Sequence, residues 1–262
     1  MRLKGKIAIV TGGAGGMGEA SCILFAQEGA KVAVVDLKEE ASQATVDTIR
    51  AAGGTAIAIG ADVTVTADVK RIVERTISEL GVPNVLFNNA GTDTEAKLPI
   101  HEVSEEAFDR VMEVNLKGPW LLMKYVVPHM IEAGGGSIIN TASVGAFIAA
   151  LTAGYCASKA GLVALSRVGA VQLARHNIRV NSLCPGATMS PLTQRELKEM
   201  EAKGLVDPQM IHRMSALGRF AEPIEQAKAA LFLASDDSSF VTGAPLIVDG
   251  GWTSLSGVPT TA

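Results

Sequence analysis

A short apolar run at residues 7–10 empties into Thr11-Gly12-Gly13-Ala14-Gly15-Gly16-Met17-Gly18, and a helical pattern follows through Phe25. No other stretch restricts the fold so strongly, because strand, glycine turn and helix in that order open a β-α-β unit. Glycines let the backbone bend with positive φ and let a pyrophosphate reach main-chain N–H groups at a helix N-terminus. A plain tight turn would use the same residues, so the motif needs support from elsewhere. Support comes from the next apolar run, residues 31–35, which ends on Asp36. That is about twenty residues beyond the glycines, where a carboxylate accepts ribose hydroxyls. The two features together point to a dinucleotide. A carboxylate there repels a ribose 2′-phosphate and bonds to a free hydroxyl pair, so the expected cofactor is NAD rather than NADP. Lys38 stands near enough to serve an extra phosphate.

Beyond Asp36 the chain keeps alternating. Helical patterns at 39–52 and 66–80 flank the strand-like run 56–59, and further strand-like runs follow at 85–87, 137–140, 178–183 and 245–248. Residues 105–115 read as a helix, Pro119 allows a restart that sends Leu121, Leu122, Val126 and Met130 to a core, and Pro223 begins the last helix. Met123 reads as packing. Alternating β and α predicts an α/β fold with a doubly wound, parallel, seven-stranded sheet and helices on both faces. No linker divides residues 1–262, so one domain is expected. The alternation breaks at about 187–217, a long insertion of the kind that forms lids. Its apolar residues, Met189 and Leu192 among them, would either cover a greasy substrate or pack a helix. Residues from about 252 to 262 read as a tail.

Composition removes several classes of function. The net charge is -4 and the 23 Lys plus Arg are scattered, which argues against a nucleic-acid footprint. There is no apolar stretch of membrane-spanning length and no signal-peptide pattern, so a soluble, cytoplasmic protein is expected. Cys22, Cys156 and Cys184 are odd in number and unpaired in spacing, and the four histidines are dispersed. A reducing compartment fits, and no protein-bound metal is expected.

The chemistry centres on Tyr155-Cys156-Ala157-Ser158-Lys159, where a phenol and an ammonium stand four residues apart and share one helix face. To act as a base near neutral pH the phenol must drop about three units from about 10, roughly 4 kcal/mol. One charge at about 4 Å supplies that only at an effective dielectric near about 20, so the pair must be shielded from water. Two exposed helix residues are the alternative reading. Other candidates sit just past strand ends, where open parallel sheets bind ligands. Asp62 would hold the adenine or cap a helix. Asn88-Asn89-Ala90-Gly91 would let a flat ring and ribose approach the backbone, and Ser143 follows the run at 137–140.

These motifs in this order resemble the short-chain dehydrogenase/reductase family, in its branch of about 250 residues. The resemblance runs from about Lys4 to Gly251 and rests on Thr11-Gly-x-x-x-Gly16-x-Gly18, Asn88-Asn89-Ala90-Gly91 and Tyr155-x-x-x-Lys159. Pro185-Gly186, Val241-Thr242-Gly243 and Val248-Asp249-Gly250-Gly251 carry it through the C-terminal half. The glycine run also fits Thr11-Gly12-x-x-Gly15-x-x-Gly18, a pattern of longer relatives. The resemblance implies a secondary alcohol, diol or ketone as substrate, with hydride passing to or from a nicotinamide. Tyr155 would be the acid or base, Ser143 would hold the reacting oxygen, Lys159 would lower the phenol pKa and bind ribose, and Asn115 would support a proton path or kink its helix. The implied cofactor bed comprises Gly12, Gly15, Gly16, Met17, Gly18, Asp36, Leu37, Asp62 and Val63. It continues through Asn89, Ala90, Gly91, Tyr155, Lys159, Pro185 and Gly186 to Thr188 or Ser190 against the carboxamide. Ser143, Gly145, Phe147, Tyr155, Met189 and Leu192 would form the substrate pocket. A homotetramer is implied as well. A 3-oxoacyl thioester reductase and a non-catalytic dinucleotide sensor remain as alternatives.

Overall fold

The computed structural model describes residues 1–94, 98–149, 151–190, 193–194, 197–198 and 210–255. Seven strands run parallel: β1 Ile7–Thr11, β2 Lys31–Asp36, β3 Thr55–Gly60, β4 Val85–Asn88, β5 Gly136–Thr141, β6 Ile178–Pro185 and β7 Pro245–Val248. Their order is β3-β2-β1-β4-β5-β6-β7, so the direction of winding reverses between β1 and β4. Ligands of open parallel sheets bind outside the strand C-termini at such a switch point. Pro245 costs no ladder bond between two neighbours, because β7 is an edge strand.

Side chains alternate across each strand, and the two faces bury different sets. Ile9, Ala33, Leu86 and Ile138 join one core; Val10, Val34, Phe87 and Ile139 join the other. Over the second face lie α1 (Gly16–Gln27), α2 (Glu39–Ala51) and a late helix, Pro223–Ala234. Over the first lie α3 (Thr66–Glu79) and α5 (Gly118–Glu132), which contribute Ile72, Leu121, Val126 and Met130. Phe25 meets Phe87 with ring centroids 6.3 Å apart. Each fully buried side chain of this size contributes about 1.5–3 kcal/mol, and both faces must be covered for a parallel sheet to form.

The expected break at Pro119 is replaced by a single continuous helical path. Helix α4 (Glu105–Met112) passes through a π turn at Glu113–Lys117 directly into α5. In a regular α-helix the Pro119 ring would strike the carbonyl of Asn115, four residues back. The wider π turn relieves that clash and needs no chain break. The long α6 (Ala153–Leu173) precedes β6, and the short α7 (Met210–Met214) precedes the last helix, α8 (Pro223–Ala234). Of the expected lid, residues 191–192, 195–196 and 199–209 lie outside the described residues, as does the tail beyond 255. Among the described residues no helix is long and apolar enough to cross a membrane.

Candidate active site

Strand β1 delivers the glycine loop to the switch point. Gly12 has φ +65°, and a Cβ there would lie 3.0 Å from the backbone of Ala90. At Gly18 a Cβ would be driven into the Gly12 carbonyl oxygen, so this glycine lets α1 pack beneath the loop and does not itself line the cavity. Asn89 donates from Nδ2 to the carbonyls of Thr11 (3.0 Å) and Gly12 (3.2 Å), while Thr11 Oγ1 accepts from the N–H groups of Asn89 and Ala90. The two backbone segments are thus cross-linked into one floor. No side chain caps α1, whose first N–H groups begin beside Gly15, Gly16 and Met17 on the cavity wall.

Two cavities meet at this floor. The smaller, about 250 Å³, is lined by Leu37, Asp62, Val63 and Arg110, with Asp36 shared between both. Asp36 accepts the N–H of Ala14 (3.1 Å) with one oxygen and that of Leu37 (2.8 Å) with the other. Asp62 accepts from the N–H and hydroxyl of Thr64 and, at 3.3 Å, from Arg110 on α4. Burial alone would push the Asp62 carboxyl up, but the Thr64 bonds and the Arg110 charge outweigh it and hold it below the usual carboxylate range. The helix-capping reading of Asp62 is not met, since α3 starts at Thr66 with Val65 as its N-cap and no side-chain cap; Asp62 instead bonds within its own turn and lines the smaller cavity. Arg110 gave no signal in the sequence, because an arginine on an amphipathic helix looks solvated.

The larger cavity, about 390 Å³, brings together Ser143, Tyr155 and Lys159 with Asn89, Ala90, Gly91, Pro185, Gly186, Thr188 and Ser190. Ser143 follows β5, caps a 3-10 turn at Val144–Ala146, and accepts the Gly145 N–H at 3.1 Å. That bond uses a lone pair and leaves the hydroxyl proton for another acceptor. Lys159 is only 2% exposed, donates to the Thr141 carbonyl at 2.7 Å, and lies 5.4 Å from the centroid of the Tyr155 ring. Burial pulls its pKa down from 10.5 to about 8. Cys184 offers no thiolate in compensation, since its own burial pushes the thiol up to about 12.

Asn115 sits in the π turn, fully buried, and bonds to both backbone groups of Thr92 at 2.8 Å while Nδ2 also reaches Ser158. A Cβ on Gly91 would lie 3.3 Å from Asn115 Oδ1 and 3.3 Å from Lys159 Nζ, so the glycine, the amide and the amine converge on one point.

The expected substrate pocket is only partly reproduced. Gly145 is buried behind Ser143, and Phe147 is 44% exposed, because the 3-10 turn carries the chain away from the cavity. Met189 also lies off the wall: its N–H is held by the Ala221 carbonyl and the chain turns tightly around it, with the Ser190 N–H on the Thr188 carbonyl, while Thr188 and Ser190 line the cavity. Leu192 lies outside the described residues. The apolar wall comes instead from Leu151, Met214, Phe220 and Trp252, and Thr92 and Asp93 add polar groups.

This bed fits a dinucleotide. The glycine floor is a cradle that Cβ atoms would fill, uncapped helix N–H groups face it, and Asn89 Oδ1 is buried without a hydrogen-bond partner among the described residues.

Comparison with known proteins agrees. Residues 12–253 match the family described as enoyl-(acyl carrier protein) reductase. The chain is 43% identical over 255 residues to a 2,5-dichloro-2,5-cyclohexadiene-1,4-diol dehydrogenase of Sphingobium indicum, covering 97% of this chain and 99% of that one. It is 39% identical to a cyclohexanol dehydrogenase of an Acinetobacter species, covering 97% of each. It is equally 39% identical to a 3-oxoacyl-[acyl-carrier-protein] reductase of Thermotoga maritima, covering 96% of this chain and 99% of that one. The crystal structure of levodione reductase superposes with a TM-score of 0.92 at 32% identity, covering 97% of this chain and 100% of that one. The chain therefore belongs to the short-chain dehydrogenase/reductase family, oxidoreductases that work with nicotinamide dinucleotides.

Proposed function

We propose that this protein interconverts a secondary alcohol or diol and the corresponding ketone, using NAD(H). The carrying observation is the buried amine of Lys159 beside the Tyr155 ring, on the same cavity wall as Ser143 and the glycine floor. When bound, the nicotinamide dinucleotide supplies or takes up the hydride. The chain's own residues do the rest. Tyr155 moves the proton at the reacting oxygen, giving it during reduction and taking it during oxidation. Ser143, whose lone pair is already used by Gly145, donates its hydroxyl proton to the same oxygen and fixes its position. Lys159 favours the phenolate, and its ammonium is strong in this role because water is largely excluded from it. Asn115 braces the Thr92 backbone beside that amine, where a proton path to solvent would run.

Asp36 supports NAD over NADP, since its carboxylate lies where a 2′-phosphate would bring like charge. The walls from Leu151, Met214, Phe220 and Trp252 support an apolar, ring-sized substrate. The diol and cyclohexanol dehydrogenases among the relatives point the same way. A second reading, reduction of a 3-oxoacyl thioester, is favoured by the Thermotoga maritima relative. A panel of cyclic alcohols, diols, ketones and acyl thioesters, each with both cofactors, separates the two. We expect the highest kcat/KM with NAD(H) and a cyclic alcohol or diol; a clear preference for NADP(H) and acyl thioesters replaces the first reading with the second. Absence of turnover across the panel with tight cofactor binding would favour a dinucleotide sensor.

In cells the protein would act in the cytoplasm as a homotetramer. Met112, Leu116, Trp120 and Leu165 line an open groove across α4, α5 and α6, and Trp120 is 44% exposed there. Light scattering that finds a monomer at micromolar concentration overturns the assembly.

A further inference from the structure

The cavity that Leu151, Met214, Phe220 and Trp252 make apolar is also lined by a carboxylate, Asp93, which neither the glycine floor nor the Ser143, Tyr155 and Lys159 set uses. Asp93 is half-buried and held from two sides. Thr92, the residue before it, is clamped through both backbone groups by the buried Asn115 amide, each bond 2.8 Å long. From the other side Thr152 Oγ1 donates to Asp93 Oδ1 at 2.9 Å. Thr152 is the N-cap of α6, where a threonine hydroxyl ordinarily accepts an N–H of its own first turn. Here its side chain makes no such bond and is turned to Asp93. A strut that only fixed the start of α6 would need no charge; a hydroxyl or an amide would serve, without the cost of desolvating a carboxylate beside an apolar wall.

Thr152 precedes Tyr155 by less than one helical turn, so the carboxylate it holds and the phenol reach the cavity from the same end of α6. One small molecule can touch both. A carboxylate only accepts, so the group it selects must carry a proton: a hydroxyl, rather than a carbonyl or an ether. We propose, resting on the alcohol and ketone reading above, that Asp93 is a specificity-determining residue that accepts a hydrogen bond from a second hydroxyl of the substrate, with Thr152 as the positioning residue that aims it. The preferred substrate is then a diol. One hydroxyl is oxidised in the hydride and proton transfer already described, the other is left intact, and the hydroxyketone formed keeps its bond to Asp93.

The test is steady-state kinetics of the full chain, with whichever nicotinamide dinucleotide it prefers, on cyclohexanol, the positional isomers of cyclohexanediol and the monomethyl ether of the best diol. The ether keeps the second oxygen but has no proton there to give. Wild type should favour the best diol over both the ether and cyclohexanol by about ten-fold or more in kcat/KM, the effect of one hydrogen bond to a charged group. Taking the ratio of diol to cyclohexanol within each variant cancels any loss common to both substrates. Asp93→Ala should lower that ratio about ten-fold, through the KM of the diol rather than its kcat. Asp93→Asn, nearly isosteric, keeps an acceptor oxygen without the charge and adds N–H donors, so it should lower the ratio about three-fold and raise the ether relative to the diol. Thr152→Val should also lower the ratio about three-fold, and Thr152→Ser, which keeps the hydroxyl, should restore it. Wild type that turns over no alcohol in the panel removes the oxidoreductase reading and this one with it. Turnover without preference for the diol over its ether, or folded Asp93 variants that lose diol and cyclohexanol equally, overturns the role of Asp93 alone. An unchanged ratio in Thr152→Val overturns the positioning role.

Discussion

The two ends of the binding cleft are built on different principles. At the Asp62 end the polar groups are partly solvated and satisfied by neighbours: Thr64 and Arg110 hold Asp62, and Ala14 and Leu37 hold Asp36. At the Tyr155 end the same sheet carries unresolved costs: a buried ammonium held down at about 8, and side-chain oxygens of Thr141 and Gln226 without partners among the described residues. Recognition of a ready-made ligand needs only complementary groups in place. Proton transfer needs a group whose charged and neutral forms are close in free energy, and burial achieves that at the expense of stability.

The contrast breaks if the catalytic end tolerates loss of its phenol. Tyr155→Phe should lower kcat by about 10²–10⁴-fold with cofactor Kd unchanged, the usual range for a positioned acid–base group; steady-state kinetics with parallel cofactor titration reads both. Retention of most of kcat would remove Tyr155 from the chemistry.

The next largest effect concerns Lys159 and pH. Its amine has a pKa of about 8 in the fold against an ordinary 10.5, so the unfolded chain holds the extra proton between those pH values. Stability therefore rises with pH through that window, as the folded protein sheds a charge it holds unfavourably; below about pH 8 both states are protonated and the full cost stands. Relative to Lys159→Met, wild type should gain up to about 3 kcal/mol from pH 8 to 10.5. Parallel denaturant titrations of the two proteins measure it, and a pH-independent gap contradicts the shift.

Gly18→Ala sharpens the comparison on the side of the glycine floor. Its Cβ must displace the Gly12 carbonyl, an overpacking cost of about 1–3 kcal/mol that should appear in both stability and dinucleotide affinity. The smallest effect is expected at the solvated end. Asp62→Ala should weaken NAD+ and ADP-ribose alike by roughly three-fold, since its partners are exposed enough to find water. Unequal losses for the two ligands would place Asp62 somewhere other than the adenosine side.

Much of this architecture was legible because parallel strands buried on both faces read as continuous apolar runs. The runs at 7–10, 31–35 and 245–248 lie within or coincide with observed strands, and Gly12, Asp36, Asn89, Ser143, Tyr155 and Lys159 reach one cleft from strand ends or the helix after them. Of the apolar wall only Met214 was legible, as one of the apolar residues of the 187–217 insertion. Leu151, Phe220 and Trp252 are far apart in sequence and lie outside the long helices and the strands, so no period marks them. Gln226 was hidden for the opposite reason, since it sits within a regular helix where one polar residue looks like a solvent-facing position. Its depth depends on how α8 packs over β7, which local sequence does not encode.

The π turn at Glu113–Lys117 has a consequence for the helix that contains it. The extra residue offsets the angular phase of everything before it from everything after it, by about 100° in a regular helix. Val111 before the turn and Leu121 after it are both buried, while Asn115 within it faces Thr92. Deleting one residue would restore ideal geometry and rotate one half of that helix out of alignment with its partners. Length in this segment is under tighter constraint than composition, and a substitution here should be tolerated more readily than any insertion or deletion.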